Sequence, residues 1–368
     1  MTFTFLLFLT ILFTICFGIS ASKFPRYYKL MAIPSILLYV LTYGFREGWA
    51  VDYYTYDSLF NGLSKTGIDQ YELLFRYIVL GLRSIFDGSY SLFSLVALTT
   101  FLSQLVLYKE HKSIISISIP LFIGLSAYQA SNLTRYFLAI SLVYVGIYYL
   151  WKRNIQYTFI IFITSILIHY GASILVLLIL LLFYVNVFKN KWINLLIFTL
   201  ISILNIGSLH EQFVQPVFNL LNLIDLGSNQ LAKYQDQTVV QDYILGQRDE
   251  MNISPLFTMS TILFGYLYII WGTKLCKYLH NEYVSFIYYL SLLGVFLNRL
   301  SLGAEILTRI ALFFMLLSPF VIGYIIKYRT VIIKVRPIFV VFIFSVMYQI
   351  YFSLKPLYND FDLLYIWE

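Results

Sequence analysis

Charge is the scarcest thing in this sequence. Of 368 residues, 12% are Asp, Glu, Lys or Arg while 60% are hydrophobic and 19% aromatic, and that charge is about half the share of a soluble domain. Such a composition excludes a water-soluble globular enzyme. Cysteine is nearly missing too: Cys16 and Cys276 stand alone in or beside apolar stretches, without CxxC spacing, which leaves no disulfide framework and no thiolate metal site. The four histidines, His111, His169, His210 and His280, form neither HxxxH nor HExxH. A P-loop, a dinucleotide fingerprint and a GxSxG elbow are absent as well, and no metal or cofactor is expected. Energy for any chemistry must then come from an activated substrate. There is also no internal repeat and no inverted pair of broken helices, which counts against transport.

What the sequence does have is long apolar runs. Only a helix satisfies its own backbone groups in hydrocarbon, and about 17 to 25 apolar residues suffice to cross. Twelve runs qualify as candidates: 2 to 21, 30 to 45, 90 to 108, 113 to 129, 132 to 150, 155 to 168, 171 to 187, 192 to 206, 254 to 273, 283 to 300, 304 to 326 and 337 to 354. The stretch 155 to 187 is split at His169, Tyr170 and Gly171, because 33 residues exceed any bilayer. The first run has no positive leader and is followed by Lys23, Arg26 and Lys29, so it is expected to stay as a membrane helix. The expected fold class is all-α, a single polytopic integral membrane domain over residues 1 to 368 with about 12 crossings.

The excess of 25 basic over 18 acidic residues looks suited to nucleic acid until it is placed along the chain. One set of loops then carries 15 basic residues against two acidic, and the other ten against 16. The positive-inside rule makes the first set cytoplasmic, so both termini and the long polar stretches 46 to 89 and 207 to 253 are expected outside, with no nucleic-acid partner. The inner set holds 11 lysines and four arginines, the outer set three lysines and seven arginines. Arginine's planar fork fits phosphate two bonds at a time, so the swap points to an anionic, phosphorylated ligand outside.

In the first outer stretch Glu72, Arg76 and Arg83 share one stripe of an otherwise apolar helix, Glu72 to Phe86, expected to lie in the outer interface. The second stretch reads as a lid or loop. Arg46, Arg135 and His169 stand at outer ends of three runs, Arg299 at the outer end of the tenth, and Arg309 follows Glu305 by one helical turn. Each alone has a bland reading: an arginine anchors a helix end or pairs with a carboxylate, and an interfacial histidine is simply hydrogen-bonded. Together they would offer guanidinium forks, an imidazole and the acids Asp52, Glu72 and Glu305 around one outward cavity.

Four segments carry a resemblance: Arg46 to Tyr56 (REGWAVDYYTY) followed by Tyr71-Glu72-Leu73-Leu74-Phe75; Asn132-Leu133-Thr134-Arg135-Tyr136-Phe137-Leu138-Ala139; Ile168-His169-Tyr170-Gly171-Ala172-Ser173; and Glu305-Ile306-Leu307-Thr308-Arg309. In this order they resemble the EpsG-like branch of the Wzy polysaccharide polymerases. The resemblance implies a GT-C-like helical bundle in a bacterial inner membrane. Its outward cavity would join undecaprenyl-diphosphate-linked sugars for O-antigen, capsule or exopolysaccharide, with arginines on the diphosphate and no nucleotide sugar or essential metal. Arg46, Asp52, Arg135, His169 and Arg309 fall on the matching positions. Tyr56, Glu72, Asn132, Tyr136 and Glu305 lie in the quoted segments and, with Arg76 and Arg299, are expected to bind substrate. Beyond the oligosaccharide substrates and membrane lipid, the implied partners are a chain-length regulator and a flippase. The expected reaction is transfer at an anomeric carbon, with arginines holding the leaving diphosphate and His169 as base in preference to Asp52. A lipid-linked oligosaccharide flippase and an O-antigen ligase are the rival readings. A membrane acyltransferase lacks its HxxxD.

Overall fold

The computed structural model describes residues 2–48, 52–63, 67–185, 187–204, 255–301, 305–333, 335–359 and 364–365. The second outer stretch, 207 to 253, lies outside them. The chain divides into two compact units, Met1–Leu180 with Ile350–Glu368, and Leu181–Gln349.

Each of the twelve apolar runs contains helix among the described residues. In the first unit they are α1 (Thr2–Lys23), α2 (Tyr28–Gly44), α5 (Tyr90–Leu107), α6 (Ile115–Asn132), α7 (Thr134–Trp151), α8 (Ile155–Ile168) and the start of α9 (Ala172–Tyr184). Two shorter helices, α3 (Tyr53–Phe60) and α4 (Leu73–Arg83), fill the connection between α2 and α5. Helix α1 packs on α2 and α6, α5 on α2 and α7, and α7 on α8. Hydroxyls join them from inside: Thr10 to Thr42 at 2.9 Å, and Thr100 to Ser141 at 3.1 Å. In a chain with so little else to bond across helices, small polar residues supply that role. The strand content described is one antiparallel pairing of Arg46 and Glu47 with Tyr365 and Leu364.

The second unit holds the rest of α9, α10 (Lys191–Leu204), α11 (Pro255–Leu279), α12 (Glu282–Leu300), α13 (Glu305–Met315), α14 (Ser318–Lys327), a four-residue turn of helix α15 (Arg329–Ile332) and most of α16 (Arg336–Asn359). Gly294 lets α12 and α13 touch backbone to backbone, since a Cβ there would meet Met315 N and Phe314 C.

The protein is a multi-pass membrane protein, and the expectation of twelve crossings is met only in part. Among the described residues seven helices are long and apolar enough to cross. Of the five runs outside the seven, three are short: α8, α9 and α10 have 14, 13 and 14 residues, about 20 Å at 1.5 Å per residue against a hydrocarbon core of about 30 Å; the other two are α2 and α7. The eleventh run turns at Leu316 and Leu317, because Pro319 carries no N–H and restarts the chain as α14, yet Leu307–Lys327 is still one of the seven. The break between α8 and α9 falls at His169 to Gly171, where the sequence puts it.

Candidate functional site

The junction of α6 and α7, Asn132-Leu133-Thr134-Arg135-Tyr136, organises a cluster in the first unit. Leu133 leaves helical geometry at φ −95° and ψ 59°, so α7 starts afresh and successive side chains fan out instead of continuing one face. Asn132 Oδ1 accepts from the backbone N–H of Asp52 at 3.1 Å and so fixes the start of α3. Thr134 Oγ1 accepts from Arg46 Nη2 at 3.2 Å. Arg135 Nη1 donates to Glu72 Oε2. The Tyr136 ring meets the His169 ring edge to face at 5.7 Å.

Glu72 is the member on which the others converge. It occupies the N-cap of α4, yet its side chain caps nothing in that helix. Its carboxylate binds three donors elsewhere. Besides Arg135, His169 Nδ1 donates to its Oε1 at 3.1 Å and the Tyr170 N–H to the same oxygen at 3.2 Å. The carboxylate is 6% exposed, and the side chains of Arg135 and His169 are 12% and 19% exposed. Burial by itself raises the Glu72 carboxyl, but the His169 hydrogen bond and the Arg135 charge outweigh it and hold the group below the ordinary carboxylate value. An ionised Glu72 accepts only, so the shared proton belongs on His169 Nδ1 and the imidazole's acceptor lone pair falls on Nε2.

The surroundings hold this arrangement in place. The Arg135 guanidinium lies over the rings of Tyr71 at 5.1 Å and Phe75 at 5.9 Å, contacts that favour a planar cation. Tyr56 packs on the same two rings, at 6.3 and 5.8 Å. His169 is brought up by the end of α8, where its backbone turns extended. Gly171 matters at this point, because a Cβ there would lie 3.0 Å from His169 Nε2.

Arg46 is placed differently from Arg135. It is 2% exposed, donates to Tyr43 O at 3.0 Å as well as to Thr134, and stacks over Phe93 at 4.3 Å. Burial lowers its guanidinium to about 10, against the opposing influence of Tyr53 and Asp52. The cavity beside it measures about 10 Å³, the room of one water. Arg76 bonds to Asp69 at 3.0 Å on an exposed flank of α4, so the polar stripe expected of that helix is divided: Glu72 turns to the cluster and Arg76 to its neighbour. Phe75 and Val79 form the buried face of α4, and Leu73, Tyr77 and Leu80 are exposed.

The structure thus brings together Arg46, Asp52, Tyr56, Glu72, Asn132, Arg135, Tyr136 and His169. Arg299, Glu305 and Arg309 belong to the second unit; Arg299 is buried near the end of α12, Arg309 is half-buried on α13, and the Glu305 side chain lies outside the described residues. Sequence reasoning missed the Tyr170 N–H, the Thr134 hydroxyl and the space at Gly171. The signal for all three was their position beside Arg135 and His169. Among the described residues no three His, Cys, Asp or Glu side chains gather as a metal site would need.

The family comparison bears on the same segments. The EpsG family model matches residues 29–365. The chain belongs to the EpsG family. No curated protein and no solved structure matches it. EpsG membership gives the protein a polysaccharide polymerase-type role of a glycosyltransferase-like kind, and the match takes in all four segments that carried the resemblance.

Proposed function

We propose that this EpsG-family protein is a metal-independent glycosyltransferase on the outer face of a bacterial inner membrane. It would move a growing glycan from undecaprenyl diphosphate onto an incoming undecaprenyl-diphosphate-linked repeat unit. The observation that carries the reading is the convergence of Arg135 and His169 on one buried carboxylate, Glu72, from positions 63 and 97 residues away in the chain. Three ionisable groups in a poorly solvated site are costly, and such groups cluster where chemistry needs them.

The step transfers an anomeric carbon. The acceptor hydroxyl oxygen bonds to that carbon as its bond to the diphosphate oxygen breaks, and the electron pair leaves with the lipid diphosphate. The hydroxyl proton goes to His169 Nε2. Glu72 fixes the Nδ1–H tautomer and balances the imidazolium as it forms. Arg135, held in plane by Tyr71, Phe75 and Glu72, sets its charge against the leaving diphosphate, whose charge needs holding more than it needs a proton. Arg46 works from behind, fixing Thr134 and with it the start of α7. Asp52, Asn132, Tyr56 and Tyr136 shape the wall around them, and Arg309 and Glu305 are further candidates for the lipid-linked substrate.

The test is reconstitution of purified protein with defined lipid-linked repeat units, read as product length on a gel. A ladder of lengthened glycans supports the polymerase. Lipid moved across vesicles without lengthening would instead make it a flippase, and transfer only to a lipid A core would make it a ligase. The orientation has its own check: a cysteine at 240 should label from outside, and one at 152 only after the inner membrane is permeabilised.

A further inference from the structure

The end of α16 and the strand that follows it belong to the first unit, and they reach two parts of the framework behind Arg135. The first is α6. The Ser353 hydroxyl donates, shared, to Leu125 O at 3.0 Å and Gln129 Oε1 at 3.2 Å, and the Gln129 carbonyl in turn takes the Leu133 N–H at 2.8 Å. Leu133 is the junction from which Arg135 starts. Ile350 packs on the same helix at Gly124, where a Cβ would lie 2.9 Å from its Cγ2. The second part is Arg46. Tyr358 bonds through its hydroxyl to Thr4 Oγ1 at 3.2 Å and meets the Phe3 ring at 5.9 Å, and Phe3 meets Tyr43 at 6.4 Å, whose carbonyl accepts from Arg46. Farther on, strand β2 (Leu364–Tyr365) pairs antiparallel with strand β1 (Arg46–Glu47), with Tyr365 opposite Arg46 itself. Arg46 is thus fixed along its backbone by β2 and at its guanidinium by Tyr43 and Thr134.

We propose that Ser353 and β2 are positioning elements for glycan transfer: β2 sets the Arg46 backbone, Arg46 sets Thr134, and Thr134 sets where the neighbouring Arg135 meets the leaving diphosphate. Ser353 steadies the same junction from the α6 side. Neither acts by touching substrate. Two residues of ladder contribute little stability by themselves, so the pairing serves alignment rather than holding the fold together. A misplacement of about 1 Å that starts far from the chemistry can cost about 10²-fold in rate, which makes one backbone pairing behind Arg135 consequential. The inference deepens the glycan-transfer reading proposed above and rests on it.

Single-turnover extension by the purified full chain tests this with Leu364→Pro/Tyr365→Pro, a pair that removes both backbone N–H groups of β2. Extension should fall about ten- to a hundredfold, while Leu364→Ala/Tyr365→Ala, which keeps those groups, stays within about twofold of the wild type. Both proteins should melt within about 3 °C of it. Because the effect runs through the bond from Arg46 to Thr134, the proline pair should lower extension by less than about twofold more in a Thr134→Val background. Amide exchange at residues 46 and 47 should quicken by at least about tenfold in the proline pair. Ser353→Ala leaves β2 intact and carries the test should the proline pair fail to insert; it should slow extension by about three- to tenfold. Wild-type extension by either variant, an equal loss in the alanine pair, unchanged exchange at 46 and 47, or losses that multiply in the Thr134→Val background would each overturn the proposal. A wild type that never lengthens a glycan, with exchange still quickened by the proline pair, would overturn the polymerase reading alone.

Discussion

Two glutamates of the first unit each hold a cation, and they do so in opposite ways. Glu110 pairs with Lys152 where α5 and α7 end, beside the Tyr148 hydroxyl at 3.3 Å, with side chains 46% and 40% exposed. Glu72 pairs with Arg135 at the far end of α7, 6% and 12% exposed, and adds His169 and a backbone N–H. Water already solvates the first pair, so it is replaceable: an exposed pair contributes about 0–1 kcal/mol. The second pair gave up its water and is committed to one geometry, which is costly unless that geometry does something. The swap of lysine for arginine between the two ends of the bundle follows the same division, a hydrated point charge at one end and a planar fork at the other.

The largest difference should appear in activity. Arg135→Lys keeps the charge and loses the fork, and Glu72→Gln keeps the shape and loses the tautomer control. Either should lower chain extension by about 10²- to 10⁴-fold in normally inserted protein, whereas Glu110→Gln and Lys152→Met should stay within about twofold. Polymer of normal length and amount from Arg135→Lys would return that arginine to an anchoring role.

Stability should divide the pairs next. Removing one partner of the buried pair, as in Glu72→Ala, should cost about 3–5 kcal/mol, because it strands the other charge. Removing Glu110 should cost about 0–1 kcal/mol. Chemical unfolding in one detergent checks both. Equal losses would mean that burial does not distinguish them.

Acid offers a third contrast. Glu72 has a folded value below its ordinary 4.5, so the stability it adds is complete above the ordinary value and disappears as pH falls through the lowered one. The unfolding midpoint of the wild type should therefore fall more steeply below about pH 4.5 than that of Glu72→Gln. Parallel slopes would place the Glu72 proton elsewhere.

The smallest effect belongs to Gly171→Ala. Its Cβ would sit 3.0 Å from His169 Nε2, so extension should drop by roughly three- to tenfold while donor binding is kept, a fraction of the cost of losing the base outright. Unchanged extension would mean that the acceptor does not approach on that side.

Much of this was legible in the sequence, and the rest failed for identifiable reasons. Each of the twelve hydrophobic runs marks helix, and His169 to Gly171 marks the break between α8 and α9, because a polar residue followed by glycine interrupts an apolar run that is otherwise too long. Arg135 and His169 stood out as ionisable groups at helix ends. Glu72 was named with them as an acid of the same cavity, but its pairing was not legible, since its partners are 63 and 97 residues away and it reads first as part of an amphipathic stripe with Arg76. The partner of Arg76 is Asp69, which precedes the helix. Twelve crossings are met only in part, because an apolar run does not say how many of its residues stay helical, and α8, α9 and α10 keep only 14, 13 and 14.

The central claim is that His169, oriented by Glu72, takes the acceptor proton while Arg135 holds the donor. The most direct measurement is single-turnover extension by purified wild-type and His169→Gln protein, with donor-lipid binding measured on the same samples. The account predicts extension slower by about 10²- to 10⁴-fold with donor affinity changed by less than about threefold. Extension at the wild-type rate, or a loss that lies wholly in donor binding, would contradict it.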